Sequence, residues 1–248
     1  MRISYNRTLL WTGPINEVLV WTFHLDEINT EAVSTLLSPD ERDRAARFRF
    51  DLHRGRYIAG RAGMRIVLGG LLNVPPESLV FVYGEHGKPA LQSGELHFNL
   101  SNSDHRAVLG VTRAAPIGID VERINPERGR PEIAERFFAP EEIAELTALK
   151  GDAYTYAFFQ LWARKEAVLK AMGTGISGGL SSFAVPHGPL PQAVHIPSQN
   201  CWVGNLSRAF PYLEGERFSS AVALLAHEPL IRPVCDTVFR IPVRRTLK

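Results

Sequence analysis

At the centre of this sequence lies Pro116-Ile117-Gly118-Ile119-Asp120-Val121-Glu122, whose pattern decides the fold around it. Apolar residues alternate with glycine and acidic residues, which is the period of a strand that buries one face. Asp120 and Glu122 therefore share the other face, about 7 Å apart along the strand. Such paired hard oxygen ligands suit Mg²⁺. Since Asp-x-Glu is a common triplet, an edge strand with two solvated acids is the alternative.

A later segment, 158–170, has apolar residues at helical spacing and predicts a helix with one face in the core. Trp162, Glu166 and Lys170 form a second stripe, one residue in every four. Taken alone, Glu166 and Lys170 are an exposed ion pair worth a few tenths of a kcal/mol, roughly. Beside the strand carboxylates, Glu166 adds a third acid, and Lys165 and Lys170 add cations that can receive a phosphate-rich ligand.

A weak internal repeat indicates two similar halves. Leu37–Arg42 resembles Phe138–Ile143, and in both copies a proline with acidic neighbours suits the first turn of a helix. The first copy also has a capping box, Ser38 to Glu41. An aromatic-rich helical stretch follows each copy. We expect an N-terminal half over residues 1–114 and a C-terminal half over residues 115–248.

Short apolar stretches bounded by Gly, Pro, Asn or Asp predict the strands. Because strands and helices mix without a strict βαβα order, the predicted class is α+β. The loop His187–Pro197 is expected to be a surface excursion, and Pro229–Lys248 a basic tail. The predicted strands are Val18–Leu25, Leu79–Tyr83, Leu96–Ser101, Arg106–Thr112, Ile117–Glu122 and Phe218–Ala226.

Composition excludes several classes of protein. The 248 residues are 45% hydrophobic, and 28 Lys+Arg against 26 Asp+Glu give a net charge of only +2, so neither nucleic acid nor a membrane surface is an expected partner. Cys201 and Cys235 form no CxxC pair, which argues against a disulfide framework or a thiolate zinc site. No apolar run approaches the roughly 20 residues of a membrane helix. With no apparent signal peptide, we expect a cytoplasmic protein.

Two loops have the chemistry to contact an anion, although each alone is an ordinary turn. Gly84–Pro89 has glycines that allow close backbone approach beside Lys88, and Asn99–Asp104 carries small hydrogen-bonding side chains. Gly173–Gly179 lacks the features of a phosphate-binding P-loop and is expected to end a helix.

Five of these segments, taken together and in order, resemble the Sfp-type 4′-phosphopantetheinyl transferases. The similarity extends from about Ser38 to Phe183. Its most specific part is GIDVE followed by W-x-x-K-E-x-x-x-K. The segments are Gly87-Lys88-Pro89, Asn99-Leu100-Ser101, Ile117–Glu122, Arg136-Phe137-Phe138 and Trp162–Lys170.

The resemblance implies a fold of two similar α/β halves related by a pseudo-twofold, with coenzyme A between them. It implies a monomeric enzyme that moves the phosphopantetheine arm of coenzyme A to a serine of an apo acyl or peptidyl carrier protein. Adenosine 3′,5′-bisphosphate would be released. A carrier-binding module of the same fold without turnover is the alternative.

The resemblance also implies roles for single residues. Asp120, Glu122 and Glu166 would hold Mg²⁺, and Lys170 with Lys165 would stabilise negative charge on the phosphates. Either Glu166 or a metal-bound hydroxide would take the serine proton; both stay open. The expected catalytic set is therefore Asp120, Glu166 and Lys170, and the remaining coenzyme A contacts would be Arg44, Arg56, Gly87, Lys88, Pro89, Ser101 and Asn102.

Three positions depart from the family pattern, and one of them is Thr174, which stands where some members have lysine between two glycines. Asn102 stands where many members have histidine, so a phosphate contact there loses the option of a positive charge. Glu41 stands at a position that is cationic in the family, and Arg44, one turn later, is expected to replace it.

Overall fold

The computed structural model describes residues 17–175, 179–186, 192–196, 199–206, 210–215, 217–225 and 237–238. Helices and strands are mixed, so the predicted α+β class is confirmed. The strands in these ranges are β1 (Val18–His24), β2 (Phe81–Tyr83), β3 (Pro89–Leu91), β4 (His97–Ser103), β5 (Arg106–Thr112), β6 (Ile117–Arg123), β7 (Gln192–Ile196), β8 (Gln199–Asn205), β9 (Phe218–Leu224) and β10 (Thr237–Val238). The α-helices are α1 (Thr30–Val33), α2 (Pro39–Ala46), α3 (Asp51–Leu72), α4 (Pro131–Phe137), α5 (Pro140–Thr147), α6 (Gly151–Met172) and α7 (Pro211–Gly215).

Two four-stranded sheets organise the molecule. Their strand orders are β10-β1-β5-β4 and β6-β9-β8-β7, and β2 and β3 form a separate pair. β1 runs antiparallel to β5 in the first sheet, as β6 does to β9 in the second. At the C-terminal end of the chain, β10 pairs parallel to β1, with Thr237 opposite Trp21. The first sheet therefore contains a strand from beyond residue 114.

An apolar core lies between the two sheets. Ile117, Ile119 and Val121 of β6 are all fully buried and belong to one cluster with Val18 and Val20 of β1. This confirms the burial face that the alternation predicted. A second apolar cluster packs between α3 and the first sheet, and a third packs between α6 and the second sheet. Each sheet thus has a long helix on its outer face.

The repeated sequence forms matching helix pairs. α2 and α5 both begin with proline, and the glutamate at the third helical position accepts a hydrogen bond from the amide before the helix. The distances are 3.0 Å from Ser38 N to Glu41 Oε2 and 2.8 Å from Ala139 N to Glu142 Oε2. This contact satisfies an amide that the helix leaves without a partner. The long helices that follow, α3 and α6, both have 22 residues.

Two loop predictions have different outcomes. Within the expected surface excursion, Gln192–Ile196 forms β7 and pairs with β8, so that prediction is wrong for these residues. The rest of that segment lies outside the described residues. The same holds for the basic tail, except for β10. Gly173 ends α6 in the left-handed conformation with φ 73°, as expected. Among the described helices, none is long and apolar enough to span a bilayer.

Candidate active site

A glycine brings strand β6 against helix α6. A Cβ added to Gly118 would lie 1.9 Å from the carbonyl oxygen of Ala167, so only glycine permits this approach of the two backbones. Asp120, two residues along the same face of the strand, reaches Lys170 of α6: Oδ1 and Nζ are 2.5 Å apart. The structure therefore joins the two segments that carry the predicted chemistry.

Asp120 is the buried centre of this cluster, with 1% of its surface exposed. Its Oδ1 accepts hydrogen bonds from Lys170 and, at 3.0 Å, from the hydroxyl of Ser101. Its Oδ2 is buried without a hydrogen-bond partner. A buried carboxylate oxygen in this state costs free energy unless a cation satisfies it. The alternative of two solvated acids on an edge strand is therefore wrong for Asp120.

Burial and mutual repulsion set the ionisation of the other acids. Removal from water, then the charge of Asp120, raise the pKa of Glu122 to about 7. The same two causes raise the pKa of Glu166. For Lys170 burial lowers the pKa, but the surrounding carboxylates, Asp120 first, outweigh it and the pKa is raised. An excess of negative charge is thus only partly balanced by one lysine.

The donor set of the cluster fits Mg²⁺. Carboxylate oxygens are the ligands that this ion prefers, and Oδ2 of Asp120 is one without a partner. Among the described residues, no three Asp, Glu, His or Cys side chains are arranged to hold an ion on their own. Mg²⁺ commonly binds through one or two carboxylates and completes its shell with waters and substrate phosphates. Asp120, with Glu122 or Glu166 beside it, fits that mode of binding.

A cavity of about 410 Å³ opens in the first half, on the other side of β4 residues Ser101 and Ser103. Asn102, which lies between these two serines, lines the cavity. Since side chains alternate along a strand, β4 serves both the cavity and the carboxylates. Five predicted coenzyme A contacts line the cavity: Arg44, Arg56, Gly87, Pro89 and Asn102.

Sequence reasoning missed other residues of this cavity. His53, Tyr57, Gly60 and Arg61 lie at helical spacing around Arg56 on α3, and this period was the signal that would have found them. The missed lining residues are Phe48, His53, Tyr57, Gly60, Arg61 and Tyr83, and the cavity is also lined by Leu100 and Asp104 of the predicted segment Asn99–Asp104.

The two predicted arginines differ in their surroundings. Arg56 donates two hydrogen bonds to Asp26, at 2.7 and 2.8 Å, and one to Asp104 at 2.7 Å. The hydrogen bond from Arg56 lowers the pKa of Asp26. Arg44 is exposed, with its guanidinium 5.7 Å from the centre of the Tyr57 ring. Arg44 therefore has the less neutralised charge for an anionic ligand.

Three predicted phosphate contacts, two lysines and one serine, have protein partners in the structure. Lys88 is turned away from the cavity: its Nζ donates to the carbonyls of Ile117 at 3.0 Å and Ala171 at 3.2 Å, because these carbonyls at the end of α6 and the start of β6 attract a cation. Burial lowers its pKa to about 8. The hydroxyl of Ser101 donates to the carboxylate of Asp120, and its expected phosphate contact stays a prediction.

Lys165 is the third of these residues. It is fully buried, and its Nζ lies 2.8 Å from Glu142 and donates to the carbonyls of Leu180 and Phe183. Adjacent helical residues point about 100° apart, so Lys165 and Glu166 cannot share a face. In the structure the partners of Lys165 are therefore Glu142 and two backbone carbonyls, and its expected phosphate contact stays a prediction.

Glu41, the acidic departure from the family pattern, is also buried. It forms ion pairs with Arg61 and, at 2.7 Å, with Arg65. Its carboxylate is thus used inside the first half, and repulsion of a ligand phosphate by an exposed carboxylate at this position does not arise.

Comparison with known proteins identifies the family. The model of the 4′-phosphopantetheinyl transferase superfamily matches residues 116–208, which include β6 and α6. The 4′-phosphopantetheinyl transferase HetI of Nostoc sp. is 41% identical over 169 residues, which are 65% of this chain and 71% of HetI. The 4′-phosphopantetheinyl transferase Sfp of Bacillus subtilis is 33% identical over 65% of this chain and 71% of its own. For psf-1 of Bacillus pumilus the identity is 38%, over 62% and 65%.

Proposed function

The chain belongs to the 4′-phosphopantetheinyl transferase superfamily, and we propose that it transfers the 4′-phosphopantetheine arm of coenzyme A to a carrier protein. The acceptor is a serine hydroxyl of an apo acyl or peptidyl carrier, and adenosine 3′,5′-bisphosphate leaves. One observation carries the proposal: the buried Asp120–Lys170 pair, with Glu122 and Glu166 beside it, adjoins the cavity across β4. A carrier-binding module without turnover would not need this charged cluster.

Asp120, Glu122 and Glu166 would hold Mg²⁺. When bound, the ion supplies a Lewis acid that offsets negative charge on the pyrophosphate. Lys170 adds a fixed positive charge at the same place, since Asp120 holds its Nζ at 2.5 Å while 30% of the side chain stays exposed. Such a preorganised cation stabilises charge that develops as the phosphorus–oxygen bond breaks.

The incoming serine must lose its proton as it attacks. We assign the proton to Glu166, whose side chain is partly exposed, whereas that of Asp120 is fully buried. A general base has to lie within hydrogen-bond reach of the hydroxyl, and a carrier protein approaches from the solvent.

The cavity of the first half would take the nucleotide end of coenzyme A. Arg44 is assigned to the 3′-phosphate, because it is exposed and its charge is less neutralised than that of Arg56. Asn102 would donate one neutral hydrogen bond to a phosphate. The backbone at Gly87 and Pro89 forms another wall of the cavity.

The arrangement of the two halves is part of the proposal. The strand orders β1-β5-β4 and β6-β9-β8 correspond, which supports a pseudo-twofold between residues 1–114 and 115–248, apart from β10. Since one chain then supplies both halves of the site, we propose that it acts as a monomer.

The test is the intact mass of an apo carrier protein after incubation with coenzyme A, Mg²⁺ and the enzyme. A mass gain of one phosphopantetheine that EDTA prevents supports both the reaction and the metal. No gain on several unrelated apo carriers, by protein that binds coenzyme A, would contradict the proposed function.

A further inference from the structure

The outer edge of β6 is closed by side chains of β4. β6 ends the second sheet, so every second backbone amide has no strand to bond. Three side chains at alternate positions of β4 accept hydrogen bonds from these amides. We call these three side chains the side-chain ladder. The contacts are Ile119 N to Asn99 Oδ1 at 2.8 Å, Val121 N to Ser101 Oγ at 3.4 Å and Arg123 N to Ser103 Oγ at 3.1 Å.

Two members of the ladder also bind the acidic side chains. The hydroxyl of Ser103 donates to Glu122 Oε2 at 2.9 Å, and that of Ser101 donates to Asp120 Oδ1 at 3.0 Å. A serine hydroxyl has one proton and two acceptor sites. The amide of β6 donates to one acceptor site of the serine hydroxyl. The hydroxyl proton therefore points to the carboxylate of the residue that precedes this amide in β6.

Asn99 shows that closing the edge does not require a hydroxyl. Its side-chain oxygen accepts a hydrogen bond from the amide of Ile119. The strand residue before Ile119 is Gly118, so there is no side chain for Asn99 to orient. The hydroxyls occur at the two positions where the strand presents a carboxylate. Edge closure and carboxylate orientation are thus separable within one ladder.

We propose that Ser103 and Ser101 are positioning residues that hold Glu122 and Asp120 in place for a divalent cation. The inference rests on the proposed function, and it gives a separate role to Ser103, which the sequence analysis named only as part of the segment Asn99–Asp104. Without Ser103, the Glu122 side chain has lost its hydrogen bond from β4 and must be ordered by the ion itself. The metal then binds more weakly, because that ordering costs entropy.

The experiment compares Ser103→Ala with Ser103→Thr and Asn99→Ala. Mn²⁺ is titrated into each full-length protein with saturating coenzyme A and no carrier, and free Mn²⁺ is followed by electron paramagnetic resonance. We expect Ser103→Ala to bind Mn²⁺ about tenfold more weakly. Ser103→Thr, which keeps the hydroxyl, should restore most of the affinity.

Asn99→Ala is the matched control for edge closure alone. It leaves the amide of Ile119 without its acceptor, so the thermal midpoint should fall by a few degrees, roughly 2–6 °C. Its Mn²⁺ affinity should stay within about twofold of the parent value, since Asn99 binds no carboxylate.

Unchanged Mn²⁺ affinity in Ser103→Ala overturns the positioning role. So does an equal loss in Asn99→Ala, because the effect would then come from the fold. Failure of the proposed function looks different: the unaltered protein would transfer nothing to any carrier, while the Mn²⁺ titration would still decide the role of Ser103.

Discussion

The two long helices, α3 and α6, are each held by a buried cation that pairs with a glutamate. Arg65 of α3 binds Glu41 at 2.7 Å and donates, at 3.0 Å each, to the carbonyls of Pro76 and Leu79 at the two ends of a 3₁₀ turn. Lys165 of α6 repeats this with Glu142 and with the carbonyls of Leu180 and Phe183 around the 3₁₀ turn Leu180–Ser182. Both cations are the fifteenth residue of a 22-residue helix.

The halves differ in what the strand presents to that helix. β1 places Trp21 and Phe23 in the apolar cluster against α3. β6 presents Asp120 and Glu122 on the face where it meets α6. The strand face that packs against the long helix thus carries aromatic residues in the first sheet and acids in the second. The difference teaches that a few residues on one strand face distinguish the two, and that Lys170 and the side-chain ladder are what contacts the acids.

The largest effect is expected from removing one charge of the cluster. Asp120→Asn keeps the shape of the side chain but takes away the oxygen without a partner and the counter-charge of Lys170, so transfer should fall at least ~10³-fold. Carrier mass gain with time measures it. Asp152→Asn, which changes an exposed acid on α6, is the control. Near-normal activity in Asp120→Asn would remove this residue from the mechanism.

Breaking the shared ion pair tests whether it supports the scaffold. Glu142→Gln leaves Lys165 buried without a counter-charge and should lower the free energy of unfolding by about 3 kcal/mol, and Glu41→Gln should have a similar effect in the first half. Urea denaturation measures both. Adding Lys165→Met to Glu142→Gln should restore most of the loss, because no charge then stays buried. A double variant as unstable as the single one would refute this explanation.

Two glycines, Gly118 of β6 and Gly63 of α3, each lie where a long helix packs against a strand, and they allow a further test. A Cβ on Gly118 would meet backbone atoms at 1.9 Å, whereas one on Gly63 of α3 would meet the Phe23 ring at 3.1 Å. Gly118→Ala should cost about 2–3 kcal/mol of stability. Gly63→Ala should be within about 1 kcal/mol of neutral, since helix propensity offsets the tight contact. Equal losses in urea denaturation would contradict the difference.

The smallest effect concerns Lys88, which links the halves. Burial lowers its pKa from 10.5 to about 8, so the unfolded chain binds more protons between these values. Stability contributed by this group should therefore rise from about pH 8 to 10.5, by about 1–2 kcal/mol. Lys88→Met should remove that rise. Thermal midpoints of both proteins over this pH range provide the measurement, and parallel curves would show that Lys88 is not the source.

Local pattern was enough for much of the fold and the cluster. The strand Arg106–Thr112 forms at the predicted residues, and the predicted family is confirmed. Trp162, Glu166 and Lys170 all have partly exposed side chains on α6, as the predicted second stripe requires. These features follow from the periods of strand and helix, which a sequence displays directly.

The partners that each long charged side chain contacts depend on the tertiary structure. Lys165 and Lys88 have the same charge as Lys170, yet only Lys170 reaches Asp120, because buried carbonyls and Glu142 hold the other two. The contacts of Ser103 with Glu122 and with the amide of Arg123 depend on β4 lying beside the edge of β6.

The sequence by itself therefore determined the α+β class, the faces of β6 and α6, and the set of acids, since these depend on neighbours within one or two turns. The tertiary structure decided which lysine contacts Asp120, where the cavity lies relative to the acidic side chains and which side chains bond to the edge of β6. Those contacts join residues such as Ser101 and Lys170, which are distant in sequence, and packing alone brings them together.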